Sequence, residues 1–461
     1  MHKFSRDEVL KDSKIYKFLL KRFGDEIRRN GIFFIKIAQH FSERIDIFPN
    51  SVCELLGEFR ENCGVNTNGY IINTINRELD DEMIDKILIE TNNGEYKCVN
   101  EINDDIKHYA AGSISQVYRI KYENMDCIMK MKHEHLTEKV VKKQENVLRS
   151  FFYVSNIFLG YNIDINNLIN LIEIQLDFDV ESKSIKRFGE LYKDNPRVVI
   201  PKHYHNTKSI IIMSYEKGNS LNELKLDDLV EAHDMLLIFV YQSIFINKYF
   251  NSDFHSGNIR YRKETKQVII YDFGLMIELN DAIIEQFLCM MLCPPSSIID
   301  VLTKPGGFFT FENALSISNL KKNIGRCDEY YYRPSNSSYM KHLVLYMNKF
   351  GAVIDTIYFT FLISLLSTYV ICGQNKEIND GISDSSTFNA YMLVKAKQLT
   401  EKQEIYVDLY NFCDHYDRRF GLQERVDQYN KLSIERIKQK FKHDIDIQCH
   451  KLKDFETYTT S

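Results

Sequence analysis

Apolar and polar positions along the 461-residue chain fall into three regimes. Over residues 6–30, Val9, Ile15, Phe18, Leu19 and Phe23 recur among charges at helical spacing, which predicts a helix. Residues 31–62 continue helical with a break near Pro49. GVNTNG (64–69) makes a turn-rich interruption, and two further helices are expected within 70–91. The period then changes. Within 108–132, VYRIKY and MDCIMKM read as strand, turn, strand. Residues 134–190 return to helix, interrupted near 160–166. RVVIP (197–201) and SIIIM (209–213) read as short buried strands, and SYEKGNS (214–220) as a connector. A long apolar helix covers about 229–250, VIIYDFG (268–274) is a strand ending in a turn, and 280–445 is mainly helical.

A helical start, a small strand-rich unit and a large helical unit predict an α+β, two-lobed protein-kinase-like fold, by analogy of element order. The expected domains are a helical extension (1–100), a kinase-like N-lobe with a helical insertion (101–217) and a helical C-lobe (218–461).

Composition narrows the class. At 44% hydrophobic and 27% charged, the chain is globular and able to bury a core. A net charge of −5 gives no chain-wide basic surface, so no nucleic-acid partner is expected. Ten cysteines without a CxxC pair exclude the usual structural zinc patterns and indicate reducing conditions. The first residues carry charges of both signs and no apolar run, unlike a secretory or transit segment. An intracellular, cytoplasmic location is therefore expected. The apolar stretch 357–372 spans sixteen residues. That is short of the roughly 20 needed to cross a bilayer, so a buried helix is expected, with peripheral membrane contact as the second reading.

The chemistry begins with NSDFHSGNIR and VIIYDFG. Asp253 and Asn258 lie five apart, and Asp272 opens a DFG turn fourteen residues after Asn258. Phosphoryl transfer needs a carboxylate near the attacking oxygen and oxygen ligands that hold Mg²⁺ against phosphates, and this combination supplies both. Upstream, HYAAGSISQV is a small-residue loop between strands, which lets backbone N–H groups approach phosphate. Lys130 follows on the second strand. Alternation puts it opposite Met129 and Met131 but does not choose between cleft and solvent. Glu181, on a helix, either pairs with Lys130 or is an exposed acid. Between Gly274 and Pro294 there is no Ser, Thr or Tyr, and no A-P-E, so an ordinary phosphorylated activation loop is missing.

These motifs resemble the UbiB/ADCK (ABC1) family over roughly residues 20–280. AAGSISQV (110–117) resembles its alanine-rich loop, and NSDFHSGN its H-A-D-P-H-P-G-N loop. GIFFIKIAQHFSERIDIFP (31–49) resembles K-x-G-Q followed by S-x-R-x-D-x-x-P, matching at Lys36, Gln39, Ser42, Arg44, Asp46 and Pro49. QLDFDVE (175–181) resembles its E-x-D stretch. The resemblance implies ATP and Mg²⁺ as cofactors. Lys130 contacts phosphate and pairs with Glu181, Asp253 is the catalytic carboxylate, and Asn258 and Asp272 hold the metal. Ala110, Ala111, Gly112, Ser113, Ile114, Ser115, Gln116 and Val117 cover the nucleotide, and Met213 to Tyr215 form the adenine hinge. Lys36 and Gln39 point into the cleft near Asp177, where a kinase takes its peptide. The activity implied is ATP hydrolysis or transfer to a small or lipid-like acceptor linked to ubiquinone or isoprenoid lipids, with lipid or membrane-surface contact and no protein partner specified.

The sequence departs from that pattern at Ala38, Gly112, Gln175, Asn251, Phe254 and Ser256. Gly112 brings the loop closer to an ordinary phosphate cradle. Gln175 removes a carboxylate. Two alternatives follow: a protein kinase, and a nucleotide-sensing module without turnover.

Overall fold

The structure, a computed structural model, describes residues 14–41, 52, 55–56, 65–102, 105–159, 165–254, 256–311, 313–327, 343, 346–347, 349–354, 361, 385–428 and 431. Ser42, Arg44, Asp46 and Pro49 lie outside them, as do the apolar stretch 357–372 apart from Phe361 and the end of the helical region expected to 445, beyond residue 428 and apart from Lys431. The chain divides into two compact units. The first comprises residues 1–235, 249–278 and 356–368, and the second 236–248, 279–355 and 369–461.

The first unit opens with α1 (Lys14–Asn30) and α2 (Ile32–Phe41). Gly31 joins them at φ +86°, and a Cβ there would sit 2.0 Å from the Gln144 side chain. That side chain accepts the Ile32 N–H at 2.9 Å, so the glycine allows a close approach that anchors α2 to α5 (Glu138–Leu159). Ala38, where the resembled family has glycine, is buried with Ile27 and Leu56.

The helices α3 (Asn68–Glu78) and α4 (Asp81–Ile84) follow, capped by Thr67 and Asp80. The expected helical extension to residue 100 is then corrected. β1 (Ile87–Glu90) and β2 (Tyr96–Cys98) already belong to the main sheet. ILIE alternates as a strand does: Ile87 and Ile89 are fully buried, Leu88 and Glu90 are not.

The main sheet is organised by β4 (Ser115–Tyr122). One edge pairs first with β3 (His108–Ala111) and then with β1. The other pairs along its length with β5 (Met125–Lys132), which pairs in turn with β8 (Ile210–Ser214), and β8 with β7 (His203–Asn206). On one face Tyr118, Ile120, Cys127, Met129 and Met131 pack against Ile71 and Ile75 of α3. The opposite face carries Val117 directly across from Lys130, and Ser115 across from Lys132. α6 (Ile165–Gln175) and α7 (Phe178–Tyr192) follow α5.

His133, His135, His203 and His205 all belong to this unit, and burial lowers the imidazole of each below its ordinary value. Unfolded histidines take up protons first, so the stability tied to these rings is complete above about pH 6.5 and is lost as pH falls below it. The melting temperature is expected to drop between pH 7.5 and 5.5. A flat profile over that range contradicts the assignment.

In the second unit α8 (Asp281–Leu292), α9 (Ser385–Thr400) and α10 (Val407–Phe420) are the principal described helices. Lys397 bridges α9 to Asp414 (2.8 Å) and Asp417 (2.9 Å) of α10. The helical segment Leu226–Ile246 begins in the first unit and ends in the second. It is long and apolar enough to span a bilayer, but its apolar window is 61% buried within the protein, as a core helix is.

Candidate nucleotide site

All the residues singled out from the sequence lie in the first unit. Lys130 is not a solvent-facing strand lysine. Its Nζ lies 2.6 Å from Glu181 Oε1 and 3.9 Å from Asp272 Oδ1. Glu181 is 1% exposed in the first turn of α7, and Asp177 caps that helix by accepting the Asp179 N–H at 2.9 Å. Burial opposes the Lys130 charge, yet Asp272, Glu181 and Asp253 outweigh it and hold the ammonium above its usual range. Burial pushes the Glu181 carboxyl up, against the pull of Lys130.

The loop carrying Asp253 and Asn258 is framed by short strands. β9 (Tyr249–Asn251) pairs with β12 (Met276–Glu278), which brackets the DFG turn. β10 (Ile259–Arg262) pairs with β11 (Gln267–Ile270), which leads into it and pairs in parallel with the short β6 (Val198–Val199). Two backbone bonds close the frame, from Ser252 N–H to the Leu275 carbonyl (2.8 Å) and from Tyr271 N–H to the Asn258 carbonyl (3.0 Å). Asn258 Nδ2 donates to the Asp253 carbonyl at 3.3 Å, which leaves the amide oxygen as its ligating atom. Asp272 Oδ1 accepts the Gly274 N–H at 2.9 Å. One carboxylate and one amide oxygen are a donor set Mg²⁺ takes together with phosphates and water, so Asn258 and Asp272 fit that ion.

Lys36, 7% exposed on α2, places its Nζ 3.4 Å from Asp253 Oδ2. Gln39 Oε1 accepts from Ser113 Oγ at 3.5 Å, so α2 reaches both the Asp253 loop and the 110–117 loop. Within 110–117, Ala110 and Ala111 end β3, and Gly112, Ser113 and Ile114 make the turn into β4. Gln116 is a correction to its expected place over the nucleotide. Alternation sends it to the core face, fully buried, where its Oε1 accepts the Tyr118 hydroxyl at 2.8 Å. Met213 is buried on β8, pairing with Ile128. Tyr215 donates its backbone N–H to the Asp126 carbonyl at 3.0 Å. Its ring lies under the Arg119 guanidinium at 3.8 Å, and its hydroxyl is 3.4 Å from that of Tyr109. Gln175 is 3% exposed and donates to the Leu171 carbonyl at 3.2 Å. A neutral amide there avoids the desolvation cost a buried carboxylate carries.

Residues 79–294 match the family model described as the ABC1 atypical kinase-like domain. This segment belongs to the ABC1 family. Its kinase-like, α+β two-lobed class is the one expected from the pattern. Protein Activity of bc1 complex kinase 8, chloroplastic, from Arabidopsis thaliana is 22% identical over 321 residues, 63% of this chain and 39% of its own length. Probable serine/threonine-protein kinase abkB from Dictyostelium discoideum is 25% identical over 284 residues, 58% of this chain and 40% of its own. Atypical kinase COQ8, mitochondrial, from Schizosaccharomyces pombe is 23% identical over 198 residues, 41% of this chain and 32% of its own. The matches thus span two fifths or less of each relative's length. Lys130, Glu181, Asp253, Asn258 and Asp272 fall inside the ABC1 segment, whereas Lys36 and Gln39 precede it.

Two side chains to which the motifs assign no role bear on the arrangement: Asn251, noted above only as a departure, and Lys132. Asn251, where the resembled family has histidine, is 2% exposed and ties both motifs together. It donates to the Asp272 carbonyl at 2.5 Å and accepts the Asp253 N–H at 2.9 Å. Lys132 shares the face of Lys130, with its Nζ 4.8 Å from the Phe178 ring centroid, and burial lowers its ammonium. The period-two spacing of CIMKMK was the available signal for Lys132.

Proposed function

We propose that the chain binds ATP with Mg²⁺ and either hydrolyses it or transfers its terminal phosphoryl group to a small or lipid-like acceptor. The observation that carries this reading is the buried 2.6 Å Lys130–Glu181 pair, set within 3.9 Å of Asp272. A buried lysine held charged beside a carboxylate, with a second carboxylate and an amide oxygen nearby, is a phosphate-and-metal arrangement. In it Lys130 neutralises phosphate oxygens, Glu181 holds Lys130, Asn258 and Asp272 ligate Mg²⁺, and Asp253 takes the proton of the attacking hydroxyl or water. Mg²⁺ supplies charge neutralisation on the phosphates. The test is Mg²⁺-dependent phosphate release from ATP. No release with or without candidate acceptors counts against an enzyme.

Transfer to a protein substrate is the weaker reading. Lys36 contacts the carboxylate that a substrate hydroxyl must approach. An isoprenoid or quinone-related acceptor rests on family resemblance alone. Lipid contact gains support from α1, where Phe18, Leu19 and Phe23 are 61%, 58% and 48% exposed, beside exposed Lys17, Lys21 and Arg22. Cosedimentation with anionic vesicles is expected, with loss in about 0.5 M salt or in a Phe18→Ser/Phe23→Ser variant. Equal recovery with neutral vesicles contradicts the charge component. As for location, relatives designated chloroplastic and mitochondrial admit an organellar setting and lend no direct support to the cytoplasmic one first expected.

A further inference from the structure

The covering loop is fastened from beneath by groups that none of the motifs includes. His133 follows the last residue of β5, and its backbone N–H donates to the Ile114 carbonyl at 3.0 Å. Its ring Nε2 lies 2.7 Å from the Gly112 carbonyl oxygen. A carbonyl only accepts, so Nε2 carries the proton. His133 is 1% exposed, and its Nδ1, an acceptor in this tautomer, lies 3.4 Å from Asn66 Oδ1 without a hydrogen bond between the two acceptors. Asn66 is itself fixed. Its Oδ1 accepts the Glu134 N–H (3.0 Å), its Nδ2 donates to the Lys132 carbonyl (3.3 Å), and its N–H donates to Gln116 Oε1 (2.8 Å). The imidazole is thus held by its own bond to the Gly112 carbonyl and by the His133–Ile114 backbone bond, beside a fixed amide at the end of the strand that carries Lys130.

That bond has a directional consequence. In a trans peptide the C=O and N–H point opposite ways. With the Gly112 carbonyl drawn to His133, the Ser113 N–H points away from His133. Gly112 does not impose this by itself. Its φ is ordinary, and an added Cβ would meet nothing closer than the Ser115 carbonyl oxygen at 3.7 Å.

We propose that His133 is a positioning residue that fixes the 112–113 peptide, so that the Ser113 N–H is presented to the phosphates of the bound nucleotide. This rests on the nucleotide-binding reading above. The probe is the Mg²⁺ complex of a non-hydrolysable ATP analogue, titrated calorimetrically into the full chain, with AMP measured by competition. His133→Phe keeps a ring and removes the donor. It is expected to weaken the ATP analogue about ten-fold and leave AMP within about two-fold, because only the longer phosphate chain meets the loop. His133→Gln restores an N–H donor and is expected to recover affinity to within about three-fold of wild type. Equal weakening of both ligands by the phenylalanine variant, or a glutamine variant as weak as it, overturns the proposal. So does a phenylalanine variant that binds like wild type, while the nucleotide reading survives. A wild-type chain that binds no analogue removes both. Should His133→Phe not fold, amide exchange in the wild type decides. Exchange over 112–115 is expected to slow at least about ten-fold with the ATP analogue and not with AMP. Unchanged exchange overturns the assignment.

Discussion

Asp253→Asn is expected to lower ATP turnover by about 10³-fold while leaving MgATP affinity within a few-fold of wild type. The substitution keeps the size of the side chain and removes its capacity to take a proton. Its backbone N–H still donates to Asn251, and its carbonyl still accepts from Asn258, so the loop and the metal ligands stay in place. The asparagine keeps an amide oxygen at the place of the carboxylate 3.4 Å from Lys36 Nζ, so the buried ammonium retains an acceptor and α2 stays against the loop. Phosphate release and calorimetry on the same preparation separate the two effects. Full retention of function in this variant, with function lost in Asp272→Asn, identifies a nucleotide-sensing module instead of an enzyme.

The second large effect concerns the buried pair. Lys130→Met leaves Glu181, 1% exposed, without its cation, and stability is expected to fall by about 3 kcal/mol with a loss of MgATP affinity of at least about ten-fold. Because burial already pushes the Glu181 carboxyl up, the unpaired acid protonates readily, and the stability loss shrinks as pH falls. The double variant Lys130→Met/Glu181→Leu is expected to recover most of the stability and none of the affinity, since an apolar pair of similar volume replaces a buried ion pair at little cost. Urea unfolding of the wild type and both variants reads stability, and calorimetry reads binding. Wild-type stability in Lys130→Met contradicts the pairing.

Much of this site was legible in the sequence because its spacing is local. The Asp253–Asn258 loop, the DFG turn, the strands within 108–132 and the alternation around Lys130 are all set by neighbours a few residues apart. Which face of β5 looks toward Glu181 was not legible. Alternation fixes two faces but not the packing of α3 on one and α7 on the other. β1 and β2 hid for a related reason: each is four residues or fewer, and only pairing with β4 distinguishes ILIE from the last turn of a helix. Gln116 looked like part of a phosphate loop because the motif is contiguous, whereas the strand turns alternate residues to the core. Asn251 replaces histidine in the resembled motif, and the geometry shows why an amide serves. One donor and one acceptor tie Asp272 to Asp253.

The most direct test is the thermal melt of the purified chain with ATP, with and without Mg²⁺, beside Asp272→Asn. At about a hundred times the dissociation constant, MgATP is expected to add roughly 2.7 kcal/mol of stability to the wild type, read as a rise in melting temperature. That rise should depend on Mg²⁺ and be lost in Asp272→Asn. A wild-type melt unmoved by MgATP, or a rise retained in full by Asp272→Asn, contradicts the nucleotide site described above.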